Sequence, residues 1–361
     1  MTAIPVLEVM VSTSPGGGPS QVLSLAPRLR ALGFAPIVAG PADGALAPAF
    51  REDGIEVVDV RTDRLASRAI GTLVQLIRAR GVRLVHTHGK GAGLHGRLAA
   101  RAAGIPVVHT FHGLHFESYR APARALYLAL ERALGRITAG FVCVSSAEHG
   151  EATRLRLIPP GRGRIVPNGV DVAALEAAAL DRVAARQALG IDPDTVTIGA
   201  VARLDPVKGL DLLARAMAHL KDVQLVVIGA GPERSRLARL AAPARVRFAG
   251  EIVGAARLLH AFDACVTASA KEGMPIGVLE AMALARPVVA SNIPAHREVL
   301  GADYPALAPR SPVEFAEAVA EVVGNRDLAE ALGRRNRRRV ADFDLAAMVD
   351  ATARIYRQLL L

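Results

Sequence analysis

Short apolar runs alternate with segments of helical pattern along nearly the whole chain, and this alternation constrains the fold more than any other feature. Helical patterns at 65–80 and 121–134 separate some of the early runs. In the first half the apolar runs occur at 6–11, 36–39, 56–60, 83–87, 106–110 and 141–144. Strands that alternate with helices of this length predict βαβ units on a parallel sheet.

The alternation pauses at a turn-rich stretch, 164–171, and then begins again. A chain of 361 residues is long for one core and suits two domains. We therefore predict an α/β fold with two Rossmann-like, doubly wound parallel-sheet domains that face a central cleft. The second round has strand patterns at 196–201, 225–228, 246–249, 264–268 and 287–290, and helical patterns at 313–323, 328–340 and 345–361.

The segment 271–283 reads K-E-G-M-P-I-G-V-L-E-A-M-A and places Glu272 and Glu280 on either side of a glycine turn. Pro275 suits the first position of the helix that follows, since its missing N–H is not needed there. That helix, predicted at 276–285, is apolar nearly all round and should be buried, yet it contains Glu280. Its first-turn N–H groups can bind an anion. The segment predicts a site for a phosphorylated ligand.

A second loop of the same domain carries two cations. Arg203 and Lys208 follow the strand pattern 196–201, with Lys208 just before a helix. In open α/β sheets, ligands bind beyond the carboxyl ends of the strands. A planar guanidinium and an ammonium both suit a diphosphate, so these cations are candidates to face the anion held near Pro275. The alternative is a solvated turn.

Two glycine loops also follow strands. The loop 16–18 lacks the spacing of a P-loop and of a dinucleotide-binding turn. It is either a tight turn or a place where the backbone approaches a ligand closely. Gly229 and Gly231, with Glu251 further on, make a partial dinucleotide fingerprint in which Arg234 holds the third glycine position. A NAD-dependent oxidoreductase is an alternative that rests on this fingerprint alone.

Histidines are concentrated at the ends of two predicted strands. His109, His112 and His115 lie in one segment, and His86 and His88 end the preceding strand. Carboxylates and cysteines are missing at ligand spacing, so we predict no metal site. We expect His112 to be functional and to lie at the cleft, where a neutral imidazole could act as donor to a sugar hydroxyl.

The formal net charge of +10 permits nucleic acid, an anionic membrane or a phosphorylated substrate as partner. One basic run, 334–339, lies on a late helix, and 119–136 alternates arginines with apolar residues. The alternatives for such segments are a solvated or core-packed helix, a lipid surface and nucleic acid. Aromatic residues are not interleaved with the basic run, and we predict that nucleic acid is not a partner.

The N-terminus enters a strand without a basic, apolar leader, and no apolar run approaches about 18 residues. We expect a cytoplasmic protein, with peripheral attachment to the inner face of the cytoplasmic membrane as a hypothesis. Cys143 and Cys265 each lie in an apolar run, and we expect both to be core residues.

The motifs together resemble those of retaining glycosyltransferases of the two-domain GT-B type, specifically family 4. Glu272 and Glu280, with seven residues between them, resemble the E-x7-E signature of that family. A-R-L-D-P-V-K-G-L-D-L-L resembles its donor-phosphate loop, and P-N-G-V-D its interdomain junction. The glycine loop and H-T-F-H-G also look like family features, and H-G-L-H-F-E is similar to members that build capsular or O-antigen polysaccharides.

The resemblance implies a role for each candidate residue. Arg203 and Lys208 would grip the donor diphosphate, Glu280 would accept hydrogen bonds from the ribose, and Glu272 would contact the donor sugar. His112 would reach that sugar from the other domain. The donor-binding residues would further include Gly16, Gly17, Gly273, Met274, Pro275 and Ile276.

The resemblance also implies domains at 1–170 and 171–344, with the last helix, 345–361, packing back on the first. The implied activity is a retaining, metal-independent transfer of a sugar from a nucleotide diphosphate, with UDP expected. The acceptor would be a glycan or a polyprenyl-diphosphate-linked glycan in cell-surface polysaccharide synthesis. No cofactor is implied, because the nucleotide sugar is a substrate. A nucleotide-sugar epimerase or related phosphate-sugar enzyme on the same scaffold is the alternative.

Overall fold

A computed structural model describes residues 3–64, 67–116, 119–241 and 245–361. The chain divides into two compact units, which we call the N-terminal and C-terminal domains. The N-terminal domain comprises Met1–Asn168 and Leu345–Leu361, and the C-terminal domain comprises Gly169–Asp344. Each domain has one parallel sheet with helices packed against it.

The N-terminal sheet has, among the described residues, seven strands in the order β3-β2-β1-β4-β5-β6-β7. All neighbouring strands are parallel, and the order reverses direction between β1 and β4. The strands are β1 (Ile4–Met10), β2 (Phe34–Gly40), β3 (Glu56–Asp59), β4 (Leu84–His88), β5 (Val107–Thr110), β6 (Gly140–Cys143) and β7 (Gly163–Ile165). The helices are α1 (Gly17–Leu29), α2 (Ala47–Glu52), α3 (Ser67–Ala79), α4 (Lys90–Ala103), α5 (Ala121–Arg136) and α6 (Ser146–Arg154), and α1 continues into a 3-10 turn, Arg30–Leu32.

The C-terminal sheet has, in the part of the chain described, six parallel strands in the order β10-β9-β8-β11-β12-β13, with the reversal between β8 and β11. Its strands are β8 (Val196–Val201), β9 (Val223–Ile228), β10 (Val246–Gly250), β11 (Ala264–Thr267), β12 (Val288–Ser291) and β13 (Leu307–Ala308). Its helices are α7 (Val172–Ala178), α8 (Arg182–Leu189), α9 (Leu210–Ala216), α10 (Arg234–Leu240), α11 (Ile276–Ala283), α12 (Pro294–Leu300), α13 (Pro312–Gly324) and α14 (Arg326–Arg339), with 3-10 turns at Pro206–Lys208, Met217–His219, Ala255–Ala261 and Val340–Phe343.

The last helix, α15 (Leu345–Leu360), belongs to the N-terminal domain. Its buried face joins the same apolar cluster as Val6 of β1 and Phe34 of β2. The ring of Tyr356 meets that of Phe34 edge to face, with centroids 5.5 Å apart. The helix thus closes the N-terminal core from one side, because its apolar stripe at helical spacing has a sheet face to bury against.

The central strands are buried and most of their residues are apolar, as expected for strands covered by helices on both sides. In β1, Val6, Leu7 and Val9 are fully buried, and Glu8 is buried among them. In the C-terminal sheet, Gly199 of β8 leaves room for the ring of Phe262, which a Cβ atom would meet at 2.1 Å.

The structure corrects several expectations about secondary structure. The stretch 164–171 was expected to be turn, but its start belongs to β7, a three-residue edge strand. Helix α11 ends at Ala283, two residues before the predicted end. Pro275 is the N-cap of α11 and therefore precedes its first helical residue. The predicted helix start at Leu65 and the last residue of the H-G-L-H-F-E motif, Glu117, lie outside the described residues.

Within the described residues, no helix combines the length and the apolar character needed to cross a membrane.

Candidate functional site

The loops that follow β8 and β11 meet at the carboxyl edge of the C-terminal sheet, because these two strands are hydrogen-bonded neighbours. The amide of Ala270 donates to the carbonyl of Val207 across the two loops, at 2.8 Å. Gly209 has a φ of 64°, and a Cβ atom there would lie 2.1 Å from the carbonyl oxygen of Ala268. Glycine at this position therefore allows the two backbones to touch.

Lys208 and Glu272 form an ion pair across this junction. The Lys208 ammonium donates to both carboxylate oxygens of Glu272, at 2.7 and 2.9 Å. The Lys208 side chain is 23% exposed and that of Glu272 is 10% exposed. The structure thus brings together two of the predicted site residues in a partly buried, accessible pair.

Glu272 remains a carboxylate. Burial acts to raise its pKa, but the Lys208 ammonium and the hydrogen bond from Ser269 outweigh burial and lower the pKa below the ordinary value of 4.5. Ser269 donates its hydroxyl to Oε1 at 2.7 Å. Because Glu272 stays ionised near neutral pH, it is better suited to position a ligand than to act as a general acid or base.

A buried set of polar side chains supports the Glu272 loop, and the sequence analysis missed it. Ser291, the last residue of β12, donates to the carbonyl of Ser269 at 2.6 Å. His296 Nδ1 lies 2.7 Å from the carbonyl oxygen of Ser291. Burial lowers the pKa of His296, so we assign a neutral ring that donates from Nδ1. The position of Ser291 at the end of a strand beside β11 was the available signal.

Glu280 projects from α11 without a hydrogen-bond partner among the described residues. Its side chain is partly buried, and burial raises its pKa from 4.5 to about 7. In the described chain the N–H groups of Ile276 and Gly277, in the first turn of the same helix, also lack a partner. A carboxylate, free helix N–H groups and the Lys208–Glu272 pair therefore surround one edge of the sheet, which suits a ligand with both hydroxyl and anionic groups.

The remaining residues predicted for this edge differ in exposure. Arg203 is 59% exposed on its side chain and forms an ion pair with Asp205. Gly273 and Met274 are buried in the loop before α11, whereas Pro275 is partly exposed. The Arg203 side chain is thus more exposed to solvent than that of Lys208, which follows the same strand.

The glycines at 229–231 have a local structural explanation. Gly229 and Gly231 have φ values of 146° and 156°. A Cβ atom on Gly229 would lie 2.0 Å from the carbonyl oxygen of Ala202, and one on Gly231 would lie 2.7 Å from that of Leu204. Close packing of the loops after β8 and β9 therefore accounts for both glycines without a dinucleotide.

In the N-terminal domain, the glycine loop and the histidine loop meet. Gly16 is the N-cap of α1, and Gly17 has open space where a side chain would project. A Cβ atom on Gly18 would lie 3.2 Å from Cδ2 of His112. The His112 ring therefore lies against the start of α1, so two segments predicted to bind the donor are neighbours within this domain.

His112 is held in an uncommon backbone conformation. Its φ of 57° lies in the left-handed region, which non-glycine residues rarely occupy. Burial lowers its pKa well below the ordinary value of 6.5. His112 Nε2 lies 2.9 Å from His88 Nδ1. The ring is thus neutral and bonded to a second histidine.

A buried polar network stands behind His112. Glu8 Oε2 is 2.8 Å from His88 Nε2, and Glu8 Oε1 accepts from the Tyr356 hydroxyl at 2.8 Å. His86 joins the Tyr356 oxygen at 2.6 Å and Thr110 at 2.8 Å. The sequence analysis noted both histidines but missed Glu8, although a carboxylate inside an apolar strand is a signal of the same kind as Glu280.

Glu8, His86 and His88 are also the residues that could hold a metal ion among those described, since their ligand atoms all lie within 4.8 Å of one another. The expectation that no carboxylate lies near the histidines is therefore wrong, because Glu8 of β1 lies beside His86 and His88 of β4 in the folded domain. The hydrogen bonds to Tyr356, Thr110 and His112 already engage these side chains, and a metal would have to displace protons from the ring nitrogens. The donor set fits the hydrogen-bond network better than an ion.

Both cysteines are free and buried, as expected for core residues. Burial raises the pKa of Cys265 to about 11 and raises that of Cys143 further. Neither thiol is therefore activated as a nucleophile.

Comparison with known proteins agrees with this architecture. The profile described as Glycosyltransferase Family 4 matches residues 15–174, and that described as Glycosyl transferases group 1 matches residues 195–325. The D-inositol 3-phosphate glycosyltransferase of Kineococcus radiotolerans is 30% identical over 311 residues, covering 76% of this chain and 71% of that protein. The Escherichia coli UDP-Gal:alpha-D-GlcNAc-diphosphoundecaprenol alpha-1,3-galactosyltransferase is 29% identical over 239 residues, which cover 63% of this chain and 62% of its own length.

Solved structures show the same fold over almost the whole chain. Anabaena Alr3699/HepE in complex with UDP and glucose aligns with a TM-score of 0.85 at 20% identity, covering 98% of this chain and 99% of that one. WaaG, a glycosyltransferase involved in lipopolysaccharide biosynthesis, aligns with a TM-score of 0.76 at 19% identity, covering 97% and 99%.

Fold and motifs define a two-domain glycosyltransferase of the GT-B class, which confirms the predicted fold class. The chain belongs to glycosyltransferase family 4, of the glycosyl transferases group 1 type. These relatives do not favour the epimerase alternative. The roles assigned to individual residues stay predictions.

Proposed function

We propose that this protein transfers a sugar, with retention of anomeric configuration, from a UDP-sugar to a hydroxyl of a glycan or polyprenyl-diphosphate-linked acceptor. The product would belong to a cell-surface polysaccharide or glycoconjugate. The observation that carries the proposal is the Lys208–Glu272 ion pair beside the start of α11 and beside Glu280, which has no hydrogen-bond partner among the described residues. The family to which the chain belongs supports the same reading.

The diphosphate would be held by Lys208, by Arg203 and by the first N–H groups of α11. Lys208 is partly buried, so its charge is less screened than a surface charge would be. Arg203 would exchange Asp205 for phosphate, because it is exposed and its ion pair is local. Charge-assisted bonds contribute about 1.5–3 kcal/mol each, and three groups of this kind suffice for a nucleotide diphosphate.

The two carboxylates would bind the ribose and the donor sugar. Glu280 would accept hydrogen bonds from the ribose hydroxyls, which gives a function to a carboxylate that is otherwise unpartnered. Glu272, already ionised and oriented by Lys208 and Ser269, would accept from hydroxyls of the sugar. His112 would contribute a contact to the same sugar, and Gly16 and Gly17 would approach the phosphates.

The proposed chemistry is a front-side attack assisted by the leaving phosphate. The acceptor oxygen forms a bond to the anomeric carbon while the bond from that carbon to the diphosphate oxygen breaks. The proton of the acceptor hydroxyl passes to the departing phosphate. Glu272 is engaged by Lys208 and is not assigned as a covalent nucleophile. The cationic groups stabilise the charge that develops on the leaving group, so the proposal requires no metal or cofactor.

The choice of UDP is supported by two relatives. Anabaena Alr3699/HepE was solved with UDP-glucose, with a TM-score of 0.85 to this chain. The Escherichia coli relative is named for UDP-Gal and for a diphosphoundecaprenol acceptor. These substrates belong to those proteins, and for this chain they define the first probes.

Thermal unfolding of the full chain with UDP, GDP and ADP tests the nucleotide, and UDP release from a panel of UDP-sugars tests the donor. We expect UDP to raise the unfolding temperature more than GDP or ADP, because ligands that bind only the folded state stabilise it. Conversion of the nucleotide sugar to an isomer without UDP release would instead indicate an epimerase. No response to any of the three nucleotides would contradict the proposal.

A peripheral membrane surface is a separate proposal, based on α5. Leu126 and Leu130 on this helix are 71% and 41% exposed, and Arg124 and Arg132 beside them are also exposed. An exposed apolar stripe among arginines suits the headgroup region of an anionic bilayer. The other basic run, 334–339, is less suitable, because Arg335 and three of its neighbours form ion pairs with acidic residues.

We expect the protein to co-sediment with vesicles that contain phosphatidylglycerol at low salt, and Leu126→Glu to weaken binding about tenfold. The new charge both removes apolar contact and is repelled by a surface that attracts each basic residue by about 1 kcal/mol. Val183→Glu, at a 76% exposed valine of the C-terminal domain, is the matched control and should bind as the wild type does. Equal binding of all three proteins, or none, would contradict the α5 surface.

A further inference from the structure

We propose that Glu8 and His88 are positioning residues for His112, and that they fix its outward ring nitrogen as a hydrogen-bond acceptor for a hydroxyl of the donor sugar. Glu8 and His88 act through His112, so their effect on catalysis rests on the proposed function. Their effect on the proton of the His112 ring does not.

The network begins at Tyr356, which α15 inserts beside Glu8. Because a tyrosine hydroxyl has one proton, its donation to Glu8 Oε1 requires that it accept from His86 Nδ1, at 2.6 Å. Burial lowers the pKa of His86 well below its ordinary value, so its ring is neutral and its Nε2 is an acceptor. The Thr110 hydroxyl lies 2.8 Å from that Nε2 and can donate to it. Every polar atom then has a matching partner.

The hydrogen bonds of Glu8 also determine which ring nitrogens of His88 and His112 carry protons. The carboxylate oxygen Oε2 can only accept, so His88 Nε2 carries a proton and donates at 2.8 Å. We assign a neutral His88 ring, whose Nδ1 is then the acceptor and receives the N–H of His112 Nε2 at 2.9 Å. His112, also neutral, therefore has no proton on Nδ1. This role is the opposite of the one expected from the sequence, in which His112 acts as a donor.

The outward nitrogen is accessible. His112 Nδ1 has no hydrogen-bond partner among the described residues, and it is not among their buried unpartnered atoms. The opposite edge of the ring faces Gly18, and the ring stacks on that of His88 with centroids 5.1 Å apart. The hydrogen bond and the stacking on His88, together with the contact with Gly18, hold the ring in this orientation. Only Nδ1 is left to meet a ligand.

Isotope-detected NMR of the full chain with ¹⁵N-labelled histidine tests the assignment directly at pH 8, above the ordinary histidine pKa of about 6.5. The His112 signals, identified by their loss in His112→Asn, should show a proton on Nε2 and none on Nδ1. In His88→Phe, which keeps a ring but removes the acceptor, they should shift towards a mixture of the two forms. A wild-type His112 with its proton on Nδ1 would overturn the proposal.

Measurements of UDP and UDP-sugar affinity distinguish a positioning role of Glu8 and His88 from a purely structural one. We expect Glu8→Gln and His88→Phe to bind UDP like the wild type and to bind UDP-glucose or UDP-galactose about tenfold more weakly, the effect of losing one well-oriented hydrogen bond. Tyr356→Phe keeps both bonds along the Glu8–His88–His112 line and should have a smaller effect in the same direction. His109→Gln, at a buried histidine of β5 bonded to Thr87, is the control and should keep the wild-type ratio.

Wild-type selectivity for the UDP-sugar over UDP in both folded variants would overturn the positioning role, as would a parallel loss of both ligands. If Glu8→Gln fails to fold, Tyr356→Phe and the wild-type NMR measurement still decide. A wild type that binds neither UDP nor a UDP-sugar would refute the proposed function and with it the contact to the sugar, whatever the ring protonation.

Discussion

Lys208→Ala is expected to lower the rate of sugar transfer by about a hundredfold or more, the range seen when one group that stabilises a developing negative charge is removed. Of the two predicted cations, Lys208 is the less exposed, and its ammonium forms an ion pair with Glu272 at the sheet edge. UDP release from a saturating UDP-sugar measures the effect. Lys221→Ala, at an exposed lysine of the same domain, should retain full activity.

The same variant tests the electrostatics of Glu272. The folded-state pKa of Glu272 is depressed, so its ionisation contributes stability above the ordinary pKa of 4.5, and this contribution is lost as the pH falls through the lower, folded value. Without Lys208, burial raises the pKa, and the variant should be destabilised at pH 7 but much less at low pH. A folded Lys208→Ala protein with full activity would exclude the phosphate role.

Glu280→Ala is expected to weaken UDP binding by about tenfold to a hundredfold, because two hydroxyls lose a charged acceptor. Calorimetry with UDP, which lacks the sugar, isolates this contact from those of Glu272 and His112. Glu251→Ala, at an exposed glutamate of the same domain, is the control. Unchanged affinity in Glu280→Ala would contradict the ribose role.

The pH dependence of UDP affinity provides a second measure of the same contact. Because burial raises the pKa of Glu280 to about 7, the carboxyl is protonated in the free protein below that pH. An ionised carboxylate is the better acceptor, so UDP affinity should rise as the pH increases through about 7. In Glu280→Gln this rise should be absent, whereas phosphate ionisation of the ligand affects both proteins alike.

The alternation of strands and helices was predictable because buried parallel strands must be apolar on both faces and helices must be amphipathic. The exceptions have local causes. Strand β7 has three residues at the edge of its sheet and contains glycine and arginine, so it lacks an apolar pattern. Strand β13 has two residues, too few for any periodicity.

Site residues that lie in one segment of the sequence could be predicted, but contacts between residues of distant segments could not. The sequence 271–283 shows both glutamates and the helix start, but the bond between Lys208 and Glu272 depends on β8 and β11 being neighbours at the point where the strand order reverses. The network behind His112 draws on three distant segments. Spacing along the chain therefore could not reveal that Glu8 stands next to His88.

The position of α15 has a consequence for how the protein is made. Glu8 is translated before the whole C-terminal domain, and its hydroxyl partner, Tyr356, is translated after it. Until Tyr356 is translated, the N-terminal sheet lacks α15, whose apolar face joins its core, and the buried Glu8 carboxylate lacks one of its hydrogen-bond partners. The C-terminal domain, continuous from Gly169 to Asp344, is fully synthesised before the N-terminal domain has all its residues. The N-terminal domain, although its first strand is translated before the C-terminal domain, therefore obtains its last helix only after that domain has been synthesised.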